Sequence, residues 1–241
     1  MAGLHPLAKT VDSLGCFAHC VRDCLVLDRL MRGETKLPEE SDTYVVTPGR
    51  WFVVESAILE DPELEPAVMS NFLAAVTLLE AVGCVREAIG RRGWLGAIEA
   101  WQLLGGIAKS AEGGRMDRRV SKRLLAGATM PCGLEAELRG LRETLLKRVR
   151  DELDGALLLM PTVKHVPPLL AALEADDELF ARVNLGTLGY TMIGSFLDIP
   201  GLALPVGTDR QGLPTSLLIS APQGHDDEVF EGGLFVEAAL R

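Results

Sequence analysis

Pro6-Leu7-Ala8-Lys9-Thr10-Val11-Asp12-Ser13-Leu14-Gly15-Cys16-Phe17-Ala18-His19 leads the chain from a turn-forming stretch into one whose apolar residues recur at helical spacing. That spacing predicts an amphipathic helix over residues 14–32, with Asp12 or Ser13 as N-cap and Gly33 as its stop. Residues 34–49 are polar, contain two prolines and read as a connection. Trp51-Phe52-Val53-Val54 is apolar throughout, which fits a buried strand better than a one-sided surface strand. Residues 66–82 return to helical spacing, with Pro66 suited to a first turn and Gly83 to an end. Three further helices are predicted over residues 94–108, 117–126 and 134–153.

Leu157-Leu158-Leu159-Met160 reads as a second buried strand, broken by Pro161, and residues 176–186 as a helix. Leu202-Ala203-Leu204 and Leu217-Leu218-Ile219 are strands joined by Asp209-Arg210-Gln211-Gly212, a turn short enough for a hairpin. Residues 226–240 are helical apart from an interruption at Gly232-Gly233. Helices alternating with apolar strands predict an α/β fold, a mixed central sheet covered by helices on both faces. With no internal repeat or low-complexity linker, residues 1–241 read as a single domain with a helical insertion at about 90–153.

The opening stretch resembles the PLAxSxDxxGxxAR segment that follows the nucleophile in amidase signature family hydrolases, including versions close to DSLGCFARTVxDC. The likeness continues down the chain. Residues 50–58 with Glu60-Asp61-Pro62 resemble the family's strand and its acidic, proline-containing link into a helix. Residues 118–126 look like its RVxxRLLxG, and Ala156-Leu157-Leu158-Leu159-Met160-Pro161-Thr162 like its ALLxPT strand end. Gly201-Leu202-Ala203-Leu204-Pro205-Val206-Gly207 and Gly212-Leu213-Pro214-Thr215-Ser216-Leu217-Leu218-Ile219 are similar to its last strand pair, PALSLPCG and GLPVGLQLI. The segments occur in family order from about residue 4 to residue 235. The resemblance implies the C-terminal portion of such a hydrolase, an incomplete amidase signature fold whose first residues read as the middle of a longer protein.

In that family the nucleophilic serine, the cis-peptide serine and the catalytic lysine lie upstream of the matched segments. The glycine- and serine-rich elements that carry them, GGSSGG and GTDTGGSxR, occur nowhere in these residues. A Ser-cisSer-Lys mechanism needs an unprotonated lysine to draw a proton through one serine so that the other can attack an amide carbonyl. It also needs backbone N–H groups to hold the resulting oxyanion. Ser13, Ser195, Ser216 and the lysines match none of these roles, so no catalytic residue is assigned. The family's chemistry implies no metal and no organic cofactor.

At 241 residues and 48% hydrophobic composition the chain is large and apolar enough to bury a substantial core. A formal net charge of −10 argues against a general nucleic-acid binder. No apolar run reaches the roughly 18 residues of a membrane span, and the start lacks a signal-peptide pattern, so a cytoplasmic location is expected. Five cysteines form no even disulfide framework and read as reduced thiols. Cys16, Cys20 and Cys24 recur every four residues beside His19, which invites a zinc reading. On one helix, however, they would span about 12 Å at a rise of 1.5 Å per residue, so small side chains along a buried stripe are the plainer explanation.

Arg115, Arg118, Arg119, Lys122 and Arg123 gather on one helix; lacking interleaved aromatics, they read as a solvated basic face rather than an anion site. His225-Asp226-Asp227 makes an acidic start for the last helix. Pro161, Thr162 and His165 lie at a strand end that in the family approaches the substrate pocket. They are the candidate pocket periphery, with a loop-surface role for His165 as the plainer reading.

Three functions follow as expectations. The chain is a piece of a carboxylic amide hydrolase, inactive alone; or one component of a split amidase completed by a separate N-terminal chain; or a noncatalytic binding or scaffold protein. The partners implied are a small-molecule amide once the fold is completed, an N-terminal amidase half, or a second copy through self-association at an uncovered sheet edge.

Overall fold

The computed structural model describes residues 4–38, 51–53, 62–77 and 95–241. Several predicted features lie outside them: the flanks of the Trp51 strand, Glu60-Asp61, the end of the second helix with Gly83, Cys84 and Trp94. Within them the order is α1 (Val21–Met31), β1 (Trp51–Val53), α2 (Pro66–Thr77), α3 (Leu95–Lys109), α4 (Arg118–Gly127), α5 (Leu134–Leu153) and β2 (Leu157–Pro161). There follow α6 (Leu170–Ala175), α7 (Asp177–Leu188), α8 (Thr191–Phe196), β3 (Gly201–Thr208), β4 (Pro214–Ser220) and α9 (Asp226–Ala239).

The strands lie in the order β1-β2-β4-β3. β1 runs parallel to β2, with Val53 opposite Leu159; β2 runs antiparallel to β4, with Leu159 opposite Ile219; and β4 returns antiparallel to β3. The sheet is therefore mixed. Alternation along β2 explains why the strand is apolar at every position. Leu157 and Leu159 join Leu217, Ile219 and Leu204 beneath Val229 and Val236 of α9 and Val21 of α1. On the other face Leu158 meets the α3, α5 and α8 layer, including Leu95, Leu153 and Phe196, while Met160 packs with Leu64, Val68 and Tyr190. Helices cover both faces, as predicted.

The first helix starts later than its sequence pattern. Asp12 does not cap it; its carboxylate accepts from the Leu7 and Ala8 amides at 2.8 and 3.0 Å and closes a turn of its own. The helix begins instead at Val21, whose N–H donates to Glu237 Oε1 of α9 at 3.1 Å, a cap supplied from 216 residues away. Cys16 and Cys20 consequently sit outside the helix and only Cys24 within it. The other end agrees with expectation. Gly33 takes φ +77°, its N–H donates to Leu30 O and that of Glu34 to Arg29 O, the paired bonds of a Schellman stop.

The α5 bounds agree with the predicted helix, and the β3–β4 hairpin closes as expected. Asp209 Oδ1 accepts from the Gln211 and Leu213 amides at 2.8 Å each, and Gly212 supplies a φ of +81°. Pro205 lacks a donor and the pairing register shifts between Pro205 and Gly207, two devices that blunt an edge strand.

Two corrections come from packing. The helices α6 and α8 have no counterpart in the sequence reading, being too short for periodicity to show. The last helix runs unbroken through Gly232-Gly233, and Gly233 faces β3, where a Cβ would come within 2.1 Å of Leu202 Cδ2. Glycine there is a packing residue that lets α9 lie close on β3.

The same logic separates two other glycines. A Cβ on Gly127 would meet Ala97 O at 2.6 Å where α4 packs on α3, whereas one on Gly106, exposed in α3, meets nothing within 4 Å. Gly127→Ala is expected to cost about 1–3 kcal/mol and Gly106→Ala to gain about 0.5–1 kcal/mol, opposite shifts in a urea-unfolding midpoint.

Candidate functional site

The described residues contain a cleft of about 410 Å³, walled by residues 13–16 of the opening stretch, by α1 and α9, and by the loops before β3 and α9. Its polar groups include Ser13, Cys16, Asp28, Asp198, Gln223 and Asp226, with Cys24 beside them; Leu14, Met31, Leu202 and Phe230 supply much of its apolar wall. Asp198 takes φ +50°, unusual for a residue with a Cβ, and its carboxylate accepts from Gln223 Nε2 across the cleft rim. Arg142 fixes the neighbouring turn by donating from Nε to Phe196 O at 2.7 Å.

The seam between α1 and α9 is ionic. Arg29 meets Asp227 at 3.2 Å, and Arg32 meets Asp28 at 2.7 Å and Asp227 at 3.1 Å. Burial pushes the Asp28 carboxyl above its ordinary range, and the Arg32 guanidinium pulls it partly back. Burial also raises Glu231, and the charges of Glu228 and Asp227 one turn earlier add to this.

The opening stretch is held by a second charged cluster. Glu99, buried in α3 at 7% exposure, accepts from the Thr10 backbone N–H at 2.9 Å, from the Thr10 hydroxyl, and from Arg139 Nη2 of α5 at 2.6 Å. Arg139 Nη1 donates in turn to Thr10 Oγ1 at 2.9 Å. Sequence reasoning missed this clasp. Its one signal is an acid, Glu99, set among Leu95, Ala97, Ile98 and Trp101 in the apolar first half of the helix.

The predicted pocket-periphery residues lie together at the end of β2 but do not line the cleft. Pro161 is fully buried opposite Leu217. The Thr162 N–H donates to Ser216 O at 3.2 Å, while its hydroxyl is buried with no hydrogen-bond partner among the described residues. His165 bridges two elements, Nδ1 lying 2.9 Å from Val166 O and Nε2 2.9 Å from the Thr187 hydroxyl of α7. Both ring nitrogens are engaged in contacts that hold the loop. Lys164 O accepts from the Glu65 N–H at 2.7 Å, and Glu65 Oε2 accepts from the Val166 N–H at 3.0 Å, lacing this loop to the start of α2.

Of the five basic residues, Arg118 and Arg119 pair with α7, Arg115 lies in the turn before α4 and pairs with Glu112, and Lys122 and Arg123 are exposed. Arg118 and Arg119 both donate to Asp177 Oδ1, at 2.9 and 2.8 Å, holding that carboxyl below its usual range, chiefly through the Arg119 hydrogen bond. Arg119 also donates to Leu173 O at 2.9 Å and stacks over the Phe180 ring at 4.2 Å. His225 stands at the N-terminus of α9 beside Glu228, and His19 is exposed. Among the described residues no three His, Cys, Asp or Glu side chains are grouped to hold a metal ion, and no helix is long and apolar enough to cross a membrane.

No family model matches the sequence. A 98-residue region, 40% of this chain, is 30% identical to 21% of a glutamyl-tRNA(Gln) amidotransferase component from Wolinella succinogenes. A crystal structure of an amidase superposes on 99% of this chain with a TM-score of 0.78 and 25% identity, the match covering 55% of that chain. A bacterial aryl acylamidase of the amidase signature enzymes family matches over 92% of this chain and 52% of its own, with a TM-score of 0.61 and 15% identity. The fold of this chain is therefore that of the amidase signature enzymes, and the chain spans about half the length of the solved structures it matches.

Glu231 gives the pH-dependent test of the α9 wall. A carboxyl whose folded pKa is raised penalises the folded state above that pKa, and the penalty vanishes once pH falls below the unfolded value of about 4.3. Glu231→Gln is expected to stabilise the chain by about 0.5 kcal/mol near pH 7, with the gain gone below about pH 4 in thermal melts. Glu99→Ala is expected to strip amide hydrogen-exchange protection from Thr10 while leaving that of β4 unchanged.

Proposed function

We propose that these 241 residues are the C-terminal part of a carboxylic amide hydrolase, a piece that builds half of the fold and one rim of the substrate pocket but carries no nucleophile. The observation behind this reading is the coverage: an amidase structure accounts for 99% of this chain, yet this chain accounts for only 55% of that one. The chain reads as one domain, and the free thiols of Cys16, Cys20, Cys24 and Cys132 fit a cytoplasmic setting. The lysine and the two serines would come from an N-terminal half, which would draw the proton along the relay and attack a small-molecule amide.

The surface supports completion by such a half. Phe17 is fully exposed, and Leu4, Leu7 and Leu14 are each about half exposed on the same clasped stretch. With β3 blunted by Pro205 and its register shift, further strands would add beyond β1 rather than beyond β3. Pro161, Thr162 and His165 then form the pocket periphery. The buried, unpartnered Thr162 hydroxyl is the group best placed to receive a hydrogen bond there.

The test is ammonia release from a panel of simple amides by the purified chain, alone and after mixing with an N-terminal half carrying the family's lysine and serine pair. No release alone and release after mixing is the expected result. Hydrolysis by the chain alone would overturn it and require a nucleophile within these residues. Silence in both, with a well-folded chain by circular dichroism and self-association in sedimentation, would favour a noncatalytic scaffold.

A further inference from the structure

We propose that Cys16 and Cys24 are a redox pair that closes to an intramolecular disulfide across the cleft, a modification site independent of the hydrolase reading. Both residues line the cleft, one from the opening stretch and one from the first turn of α1, and both are free thiols. The Cys16 thiol already reaches over that turn, donating to Cys24 O at 3.6 Å. Residues 12–18 have no regular secondary structure, so the backbone is free to make the small adjustment that disulfide geometry demands. Cys20 stands between them as the N-cap of α1.

The two sulfurs are unequal in a way that orders the chemistry. Cys24 is buried, and that burial, followed by the charge of Cys16 and a hydrogen bond to it, pushes the Cys24 thiol up to about 11. Cys16 is half-buried at the cleft mouth and meets a peroxide first. Its sulfur attacks one peroxide oxygen, the O–O bond breaks, and a sulfenic acid and one water result. The Cys24 sulfur then attacks the Cys16 sulfur, expelling a second water as the S–S bond forms. Two thiols are oxidised by two electrons and one hydrogen peroxide is reduced to two waters, the two thiol protons ending in those waters. The product ties the stretch bearing Leu14 and Phe17 to α1 and narrows the cleft.

Peptide mapping of the full chain tests this. After hydrogen peroxide treatment, alkylation of the remaining thiols and non-reducing tryptic digestion, the peptide of residues 10–22, with Cys16 and Cys20, should be joined to that of residues 23–29, with Cys24. The joined species should be lighter by two hydrogens than the two peptides with Cys20 alkylated and Cys16 and Cys24 as thiols, should separate under dithiothreitol, should persist in Cys20→Ser and should be lost in Cys16→Ser. A joined species that persists in Cys16→Ser would assign the bond to Cys20 and overturn the proposal. So would failure to join in the unsubstituted chain under conditions where the exposed Cys132 is oxidised.

Discussion

The close approach of α9 to β3, made possible by the missing side chain at Gly233, is the constraint on which the rest of the described structure depends. It seals one face of the sheet with Val229 and Val236. It also brings Glu237 to the first N–H of α1, and Asp226 and Asp227 to Arg29 and Arg32. The start of α1, the α1–α9 seam and the cleft between them are thus consequences of one short distance. Exposed ion pairs contribute little singly, but these surround an already packed apolar contact and fix its register rather than supply its stability.

A second anchor acts on the opposite side of the opening stretch. Glu99 would be costly to bury alone, and it is buried because Arg139 and Thr10 supply its hydrogen bonds. The stretch therefore follows a defined path although its described residues before α1 include no helix or strand. Its apolar side chains face outward as a result: the polar backbone contacts are used inward, and among the described residues nothing covers Phe17. The solved amidase signature structures that share this fold are nearly twice the length that this chain matches.

Much of the fold is legible in the residues. Fully apolar β2, the hairpin with Asp209 and Gly212 at its turn, the Gly33 stop and the bounds of α5 follow from local rules, since each depends on neighbours within a few positions. The candidate site is far less legible. The cleft is assembled from segments lying at opposite ends of the chain, from Ser13 to Phe230, and its residues, such as Asp198 and Gln223, carry no spacing signature. Pro161, Thr162 and His165 are placed at the strand end as read, yet His165 holds the loop to α7 through Thr187, a contact 22 positions away that no local pattern announces.

What the sequence by itself determined is the longer helices and the strands, their apolar faces and the α/β class, because periodicity and turn chemistry are local and survive without partners. What only the tertiary structure decided is where α1 begins, that α9 runs unbroken through two glycines, and which carboxylates are clasped or penalised. Those outcomes depend on distances between segments remote in the chain. A cap supplied by Glu237, a Cβ excluded by Leu202 and a charge buried against Arg139 exist only once the helices have packed on the sheet.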